Sequence, residues 1–146
     1  MTLRFQRANF LVSSFERALP FYRDVLGFSV AFTKPPNEIS YSHQVFGIDS
    51  RPPIGFMVLS TPSQERVMAL TEVPGLANQA TPRRSTIVID VESVDDVVAR
   101  AKEHGFQVFP EERLVTHDGR VGREVGLLDG DGNLTVIYHI DQPAPQ

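Results

Sequence analysis

Eight residues carry most of the chemistry this sequence could offer a small molecule: Arg7, Asn9, Tyr41, His43, Thr86, Asp90, Glu124 and Tyr138. A guanidinium such as that of Arg7 orients an anionic or carbonyl oxygen through a planar fork of donors. Glu124 is a candidate base or hydrogen-bond acceptor, and Tyr138 a candidate acid or donor. A base, a donor and a positive group together suffice for proton transfer next to a carbonyl, with no metal. A purely structural alternative exists for each. Arg7 and Glu124 could close on each other as a salt bridge, Asp90 could cap a turn, and Tyr138 could be core with its hydroxyl at the surface. There is no cysteine, which excludes a disulfide framework, a thiolate metal site and a cysteine nucleophile. His43, His104, His117 and His139 are separated by 61, 13 and 22 residues, so none forms a close pair on one element. His104 fits the last turn of a helix, where a cation is favoured. His117 reads as an exposed loop residue, and His139 as alternating away from the candidate site.

The elements that must position these residues repeat once along the chain. After a short strand at 7–12, Phe15, Leu19, Tyr22 and Leu26 recur at helical spacing, with Gly27 as the stop. Ser13 and Glu16 fit a capping box. Pro20 conflicts with a helix starting there, so the regular helix is expected from about Arg17, followed by a strand at 28–33. The same order returns at 85–109. Ile87, Ile89 and Val91 share one strand face, and Ser93 with Asp96 suggests a cap. Val94, Val97, Val98 and Ala101 form a helical stripe, and Gly105 ends it. Two further strands close each half: 54–60 and 66–73 in the first, 121–128 and 133–140 in the second. The segment "DGDGN" between the last two has hairpin chemistry. It is no calcium loop, since Ile140 stands where a bidentate Glu is required.

The expected fold is therefore α+β: two βαβββ modules, 5–73 and 85–140, in one domain of 1–146. They are joined by a linker at 74–84 and followed by a flexible tail at 141–146. A helix covers one face of each four-stranded sheet, and the other face needs a partner. Two such curved sheets are expected to enclose a shared cavity. Alternation aims Arg7, Asn9, Leu11, Thr86, Val88, Asp90, Glu124 and Tyr138 at it, along with Val67, Ala69, Thr71, Leu134 and Val136. Tyr41 and His43 lie in an excursion between the second and third strands, a candidate lid.

The segments "VSSFERALPFYRDVLGF", "VESVDDVVARAKEHGF" and "LDGDGNLTVI" resemble the vicinal oxygen chelate superfamily, over roughly residues 5 to 140. That superfamily includes glyoxalase I, extradiol dioxygenases, fosfomycin-resistance enzymes and bleomycin-binding proteins. The resemblance implies metal ligands at Arg7, Ala69, Thr86 and Val136. Arginine cannot give up its proton to a cation, alanine and valine have no donor atom, and threonine is a poor sole ligand. The expectation is a member with no metal and no cofactor. It would bind a small, partly apolar organic molecule with an anionic or carbonyl oxygen, as a metal-independent isomerase or lyase. The alternatives are a non-catalytic drug- or metabolite-sequestering protein, or a metal-dependent lyase or dioxygenase if the strand register differs.

Composition narrows the partners. Formal net charge is -4, which argues against nucleic acid. No apolar run approaches the roughly 20 residues needed to span a bilayer, and "MTLRFQRANF" lacks a signal-peptide pattern. A cytoplasmic protein is expected, with a homodimer through sheet edges as a possible assembly.

Overall fold

The computed structural model describes residues 2–40, 42–49, 51–78, 81 and 83–146. The chain divides into two compact units, Met1–Ala77 and Asn78–Gln146.

The first unit contains β1 (Ala8–Val12), α1 (Phe15–Leu19) continuing as a π-helical turn (Pro20–Val25), β2 (Ser29–Asn37), the short α2 (Ser42–Val45), β3 (Ile54–Ser60) and β4 (Met68–Glu72). Its sheet runs β1-β4-β3-β2, with β1 parallel to β4 and the other pairs antiparallel. The helix starts at Phe15, two residues before the expected Arg17, and its cap is Ser14 rather than Ser13. Ser14 Oγ accepts from Arg17 N–H at 3.3 Å. Glu72 of β4 reaches across to accept from Phe15 N–H at 2.6 Å, supplying the carboxylate that a capping box would draw from Glu16. Pro20 has no N–H to return to Glu16, and at this point the helix widens. Leu26 N–H donates five residues back to Phe21 O at 3.0 Å, a π-type bond.

Phe21, Tyr22 and Val25 are fully buried, each worth about 1.5–3 kcal/mol of apolar burial. The Phe10 and Tyr22 rings meet at 6.3 Å, which places Phe10 on the helix side of the sheet. Gly55 makes room on that same side. A Cβ there would lie 2.7 Å from the Phe15 ring.

The second unit repeats the order with β5 (Thr86–Asp90), α3 (Val94–Glu103), β6 (Gln107–Val108), β7 (Glu112–Val115), β8 (Val121–Leu128) and β9 (Leu134–Gln142). Its sheet runs β5-β9-β8-β6, and β7 also pairs with β8. The expected single strand after α3 is thus two short ones either side of Pro110, which cannot donate to a ladder. The Ser93 cap is present, its Oγ accepting from Asp96 N–H at 3.1 Å. Gly27 and Gly105 end their helices at φ +95° and +78°, the left-handed conformation that glycine adopts without a Cβ penalty. β9 runs to Gln142, so the first two residues of the expected tail belong to the sheet. The "DGDGN" hairpin is built on Asp129. Its Oδ1 accepts from Asp131 and Asn133 N–H, and its Oδ2 from Asn133 Nδ2. Among the described residues no helix is long and apolar enough to cross a membrane.

Candidate functional site

In the first unit the candidate chemistry lies on the sheet face away from α1. With Phe10 toward the helix, alternation sends Asn9 and Leu11 to the other face. Ala69 and Thr71 join them from β4, Phe56 and Val58 from β3, and Phe32 and Lys34 from β2. Asn9 is half-buried, and its Oδ1 accepts from the fully buried Thr71 hydroxyl at 3.1 Å. That bond leaves Asn9 Nδ2 as a buried donor with no partner. An unpartnered buried donor costs about 1–3 kcal/mol, so its persistence calls for a reason.

An aromatic and cationic group lies on the same face two and three strands away, on β3 and β2. The Phe32 and Phe56 rings stand 6.3 Å apart, and the Arg66 guanidinium lies 5.6 Å above the Phe32 ring. Lys34 is paired with Phe56 in register. None of the strand residues on this face is an Asp or Glu. Every charged or amide hydrogen that it presents is a donor. Arg7 is half-buried, one residue before β1, and makes no salt bridge among the described residues.

In the second unit the face away from α3 carries one cross-strand row. Asp90 of β5, Tyr138 of β9, Glu124 of β8 and Glu112 of β7 are successive register partners. Directly opposed side chains have Cβ atoms about 4.5–5.5 Å apart. Glu124 and Tyr138 are half-buried, whereas Asp90 and Glu112 are exposed. Phe109 covers the neighbouring row of Val88, Val136 and Gly126, where a Cβ on Gly126 would lie 3.0 Å from its ring. Asp90 Oδ1 also stands 3.6 Å from His139 Nδ1. Thr86 is exposed, and its hydroxyl lies 2.9 Å from both Leu134 O and Ile87 O.

The remaining candidates separate from these two faces. His43 is buried, with Nδ1 2.9 Å from Ser40 O and Nε2 2.6 Å from Pro52 O. The ring thus sits between the Ser40 and Pro52 carbonyls. Tyr41 lies outside the described residues. His104 caps α3 with Nδ1 2.9 Å from Arg100 O, and His117 is exposed.

A separate cleft of about 420 Å³ opens beside α3, lined by Val98, Lys102, Val108, Pro110 and Glu111 among others. It contains none of the candidate residues. Its Asp95 and Glu111 are both held by Arg123, at 2.5 and 2.6 Å. That guanidinium keeps the Asp95 carboxyl below the usual carboxylate range.

The positions implied for a metal do not fit one. Ala69 is fully buried beside Asn9, and Val136 stands between Val88 and Gly126. Neither side chain has a donor atom. The Thr86 hydroxyl is directed at backbone carbonyls, and a guanidinium such as that of Arg7 offers donors and no acceptor to a cation. Among the described residues no three or more of His, Cys, Asp and Glu come together to hold an ion.

Sequence reasoning placed Asn9 but passed over Phe32, Phe56, Lys34 and Arg66. It ended the strand after α1 at 33, whereas β2 continues through Pro35 and Pro36 to Asn37. A proline is admissible on an edge strand, and β2 pairs only with β3. The Phe32-x-Lys34 alternation facing Phe56 was the available signal.

Residues 4–137 match the family model of the Glyoxalase/Bleomycin resistance protein/Dioxygenase superfamily. No curated protein sequence matches the chain. Among solved structures, a glyoxalase family protein from Bacillus cereus superposes with a TM-score of 0.73 at 18% identity, covering 96% of this chain and 95% of that one. The trypanothione-dependent glyoxalase I of Leishmania major gives 0.65 at 18% identity, over 94% and 87%. The fosfomycin resistance protein FosX of Listeria monocytogenes, in a complex with Mn(II) and sulfate, gives 0.65 at 13% identity, over 95% and 93%. At these identities the structural likeness establishes the fold.

Proposed function

The chain belongs to the glyoxalase/bleomycin resistance protein/dioxygenase superfamily, and within it we propose a small-molecule-binding protein whose ligand is partly apolar and carries an anionic or carbonyl oxygen. The observation that carries this reading is Asn9 Nδ2, a buried amide donor fixed by Thr71 and left without a partner. A ligand oxygen would satisfy it. The surroundings agree: Phe32 and Phe56 offer apolar area, Lys34 and Arg66 offer positive charge, and no strand carboxylate competes. This is the character of a small-molecule site, mostly apolar with a few placed polar groups. Arg7 is assigned to the same oxygen.

The test is a ligand-observed NMR screen of small carbonyl compounds and carboxylates against the wild type and Asn9→Leu. Binding is expected to weaken about tenfold in the variant, near the 1.5 kcal/mol of one hydrogen bond to a charged group. Hits that bind both proteins equally would refute the role of Asn9.

A second reading is favoured by the register of Glu124 with Tyr138. Here Glu124 takes a proton from the carbon beside a carbonyl, and Tyr138 donates a hydrogen bond to the oxygen that becomes negative. The reaction would be an isomerisation or a lyase step, with no metal involved. Solvent-deuterium incorporation beside the carbonyl of a bound compound tests it. Incorporation is expected to vanish in Glu124→Gln and to slow in Tyr138→Phe. Incorporation unchanged in Glu124→Gln would exclude this reading and leave sequestration.

A further inference from the structure

Arg66 is the only non-glycine among the described residues with positive φ, at +53°. A left-handed conformation is strained for an L-residue with a Cβ, and turns that need it normally carry Gly or Asn. Here the conformation is held by Arg66 N–H donating to Ser60 Oγ at 2.8 Å. The loop before it is pinned by Gln64 N–H donating to Thr61 Oγ1 at 2.9 Å. The strained backbone has one visible product: a guanidinium 5.6 Å above the Phe32 ring. Arg66 makes no salt bridge among the described residues. A guanidinium over an aromatic face keeps in-plane N–H donors for a bidentate acceptor. Lys34, opposite Phe56, adds a second positive charge to the same face.

We propose that Arg66, held over Phe32 by a strained turn, is an anion-recognising residue of the first unit's site in addition to Arg7, and that the ligand class is an aromatic carboxylate. The ring packs against Phe32 and Phe56, and the carboxylate enters the Arg66 fork. This rests on the reading that the face carrying Asn9 binds small molecules.

The probes are 2-naphthoate and its neutral amide, 2-naphthamide, titrated to millimolar concentration and followed by ¹H–¹⁵N NMR of the full chain. The wild type is expected to prefer the acid by five- to tenfold at low ionic strength, with shifts at the Asn9 side-chain amide and at Phe32. Arg66→Gly is expected to abolish the preference, with naphthoate affinity falling five- to tenfold further than naphthamide affinity. It is also expected to raise Tm, because glycine is unstrained at this φ. Arg66→Lys keeps the charge but loses the fork, and retains about half of the preference on a logarithmic scale.

A preference that survives in Arg66→Gly overturns the inference, as does its absence from the wild type. In both cases naphthamide binding at Asn9 leaves the underlying site standing. If neither compound shifts Asn9, Phe32 or Phe56, the site and the inference fall together. A fall in Tm with an unchanged acid-to-amide ratio would show that Arg66 is structural only.

Discussion

Replacing Asn9 and Thr71 together separates a ligand-binding amide from a structural one. The wild-type pair holds one hydrogen bond, Thr71 hydroxyl to Asn9 Oδ1 at 3.1 Å, and one stranded donor, Asn9 Nδ2. Thr71→Val removes the hydroxyl at constant shape and leaves Oδ1 unpaired as well. That should cost about 1–2 kcal/mol. Asn9→Leu keeps the branched shape and removes the stranded donor, but leaves the fully buried Thr71 hydroxyl without its acceptor. The two effects are of similar size, about 1–2 kcal/mol each, so this variant should lie within roughly 1 kcal/mol of the wild type.

In the double variant every one of these polar groups is gone. Its stability should equal or exceed that of the wild type, because replacing both partners by apolar groups of like shape is nearly neutral or favourable. The cycle should therefore show a coupling of about 1–2 kcal/mol, within the range for contacting residues. Urea unfolding of the four proteins at matched m-values measures it. A double variant less stable than the wild type by more than about 2 kcal/mol would refute the reasoning. It would mean that Nδ2 is already satisfied inside the folded protein and holds nothing in reserve.

Arg7→Met should leave the unliganded protein within about 1 kcal/mol of the wild type, since Arg7 has no salt bridge among the described residues. Ligand affinity should fall by about 1.5–3 kcal/mol, the scale of a hydrogen bond to a charged group; thermal melts with and without a bound compound decide it. Elemental analysis after mild dialysis should find no stoichiometric Zn, Fe, Ni or Mn, and one metal per chain would contradict the donor set at Ala69 and Val136. Arg123→Met should lower Tm near neutral pH by freeing Asp95 and Glu111. Asp95 is held below its ordinary pKa in the folded state, so its contribution is present above the unfolded value and lost as pH falls. The Tm gap should therefore narrow below about pH 4, and a gap that widens with acid would contradict the assignment. Gly122→Ala should cost more than about 4 kcal/mol, because its Cβ would collide with the His139 carbonyl; circular dichroism melts suffice to check it.

The fold was legible because both modules write it in local signals. Ser93 with Asp96, the Val94–Ala101 stripe and Gly105 specify α3 without any tertiary information, and the structure shows each of them acting as read. Strand 54–60 coincides with β3, and 121–128 with β8. The reading erred where a distant residue replaced a local one. Glu72 caps α1 across 57 positions, and no pattern within residues 13–16 announces that.

One face of the candidate site was legible by the same kind of local signal. Alternation along β1 assigned Asn9 to the face away from the helix, because Val12 is fully buried and the Phe10 ring lies against Tyr22 on the helix side. Alternation says nothing about which buried donors end up with partners. That Asn9 Nδ2 has none depends on Thr71, a strand away, and on Ala69 beside it being too small to offer an acceptor. Arg66 was invisible for a deeper reason. Nothing in "TPSQERVM" marks which turn residue must adopt positive φ, and propensity favours Gly, Asn or Asp there rather than arginine. A strained position filled against propensity is where sequence-level consistency is expected to break for function. The binding chemistry proposed for this protein therefore stands on two exceptions to its local rules, one unsatisfied amide on β1 and one left-handed arginine over Phe32 of β2.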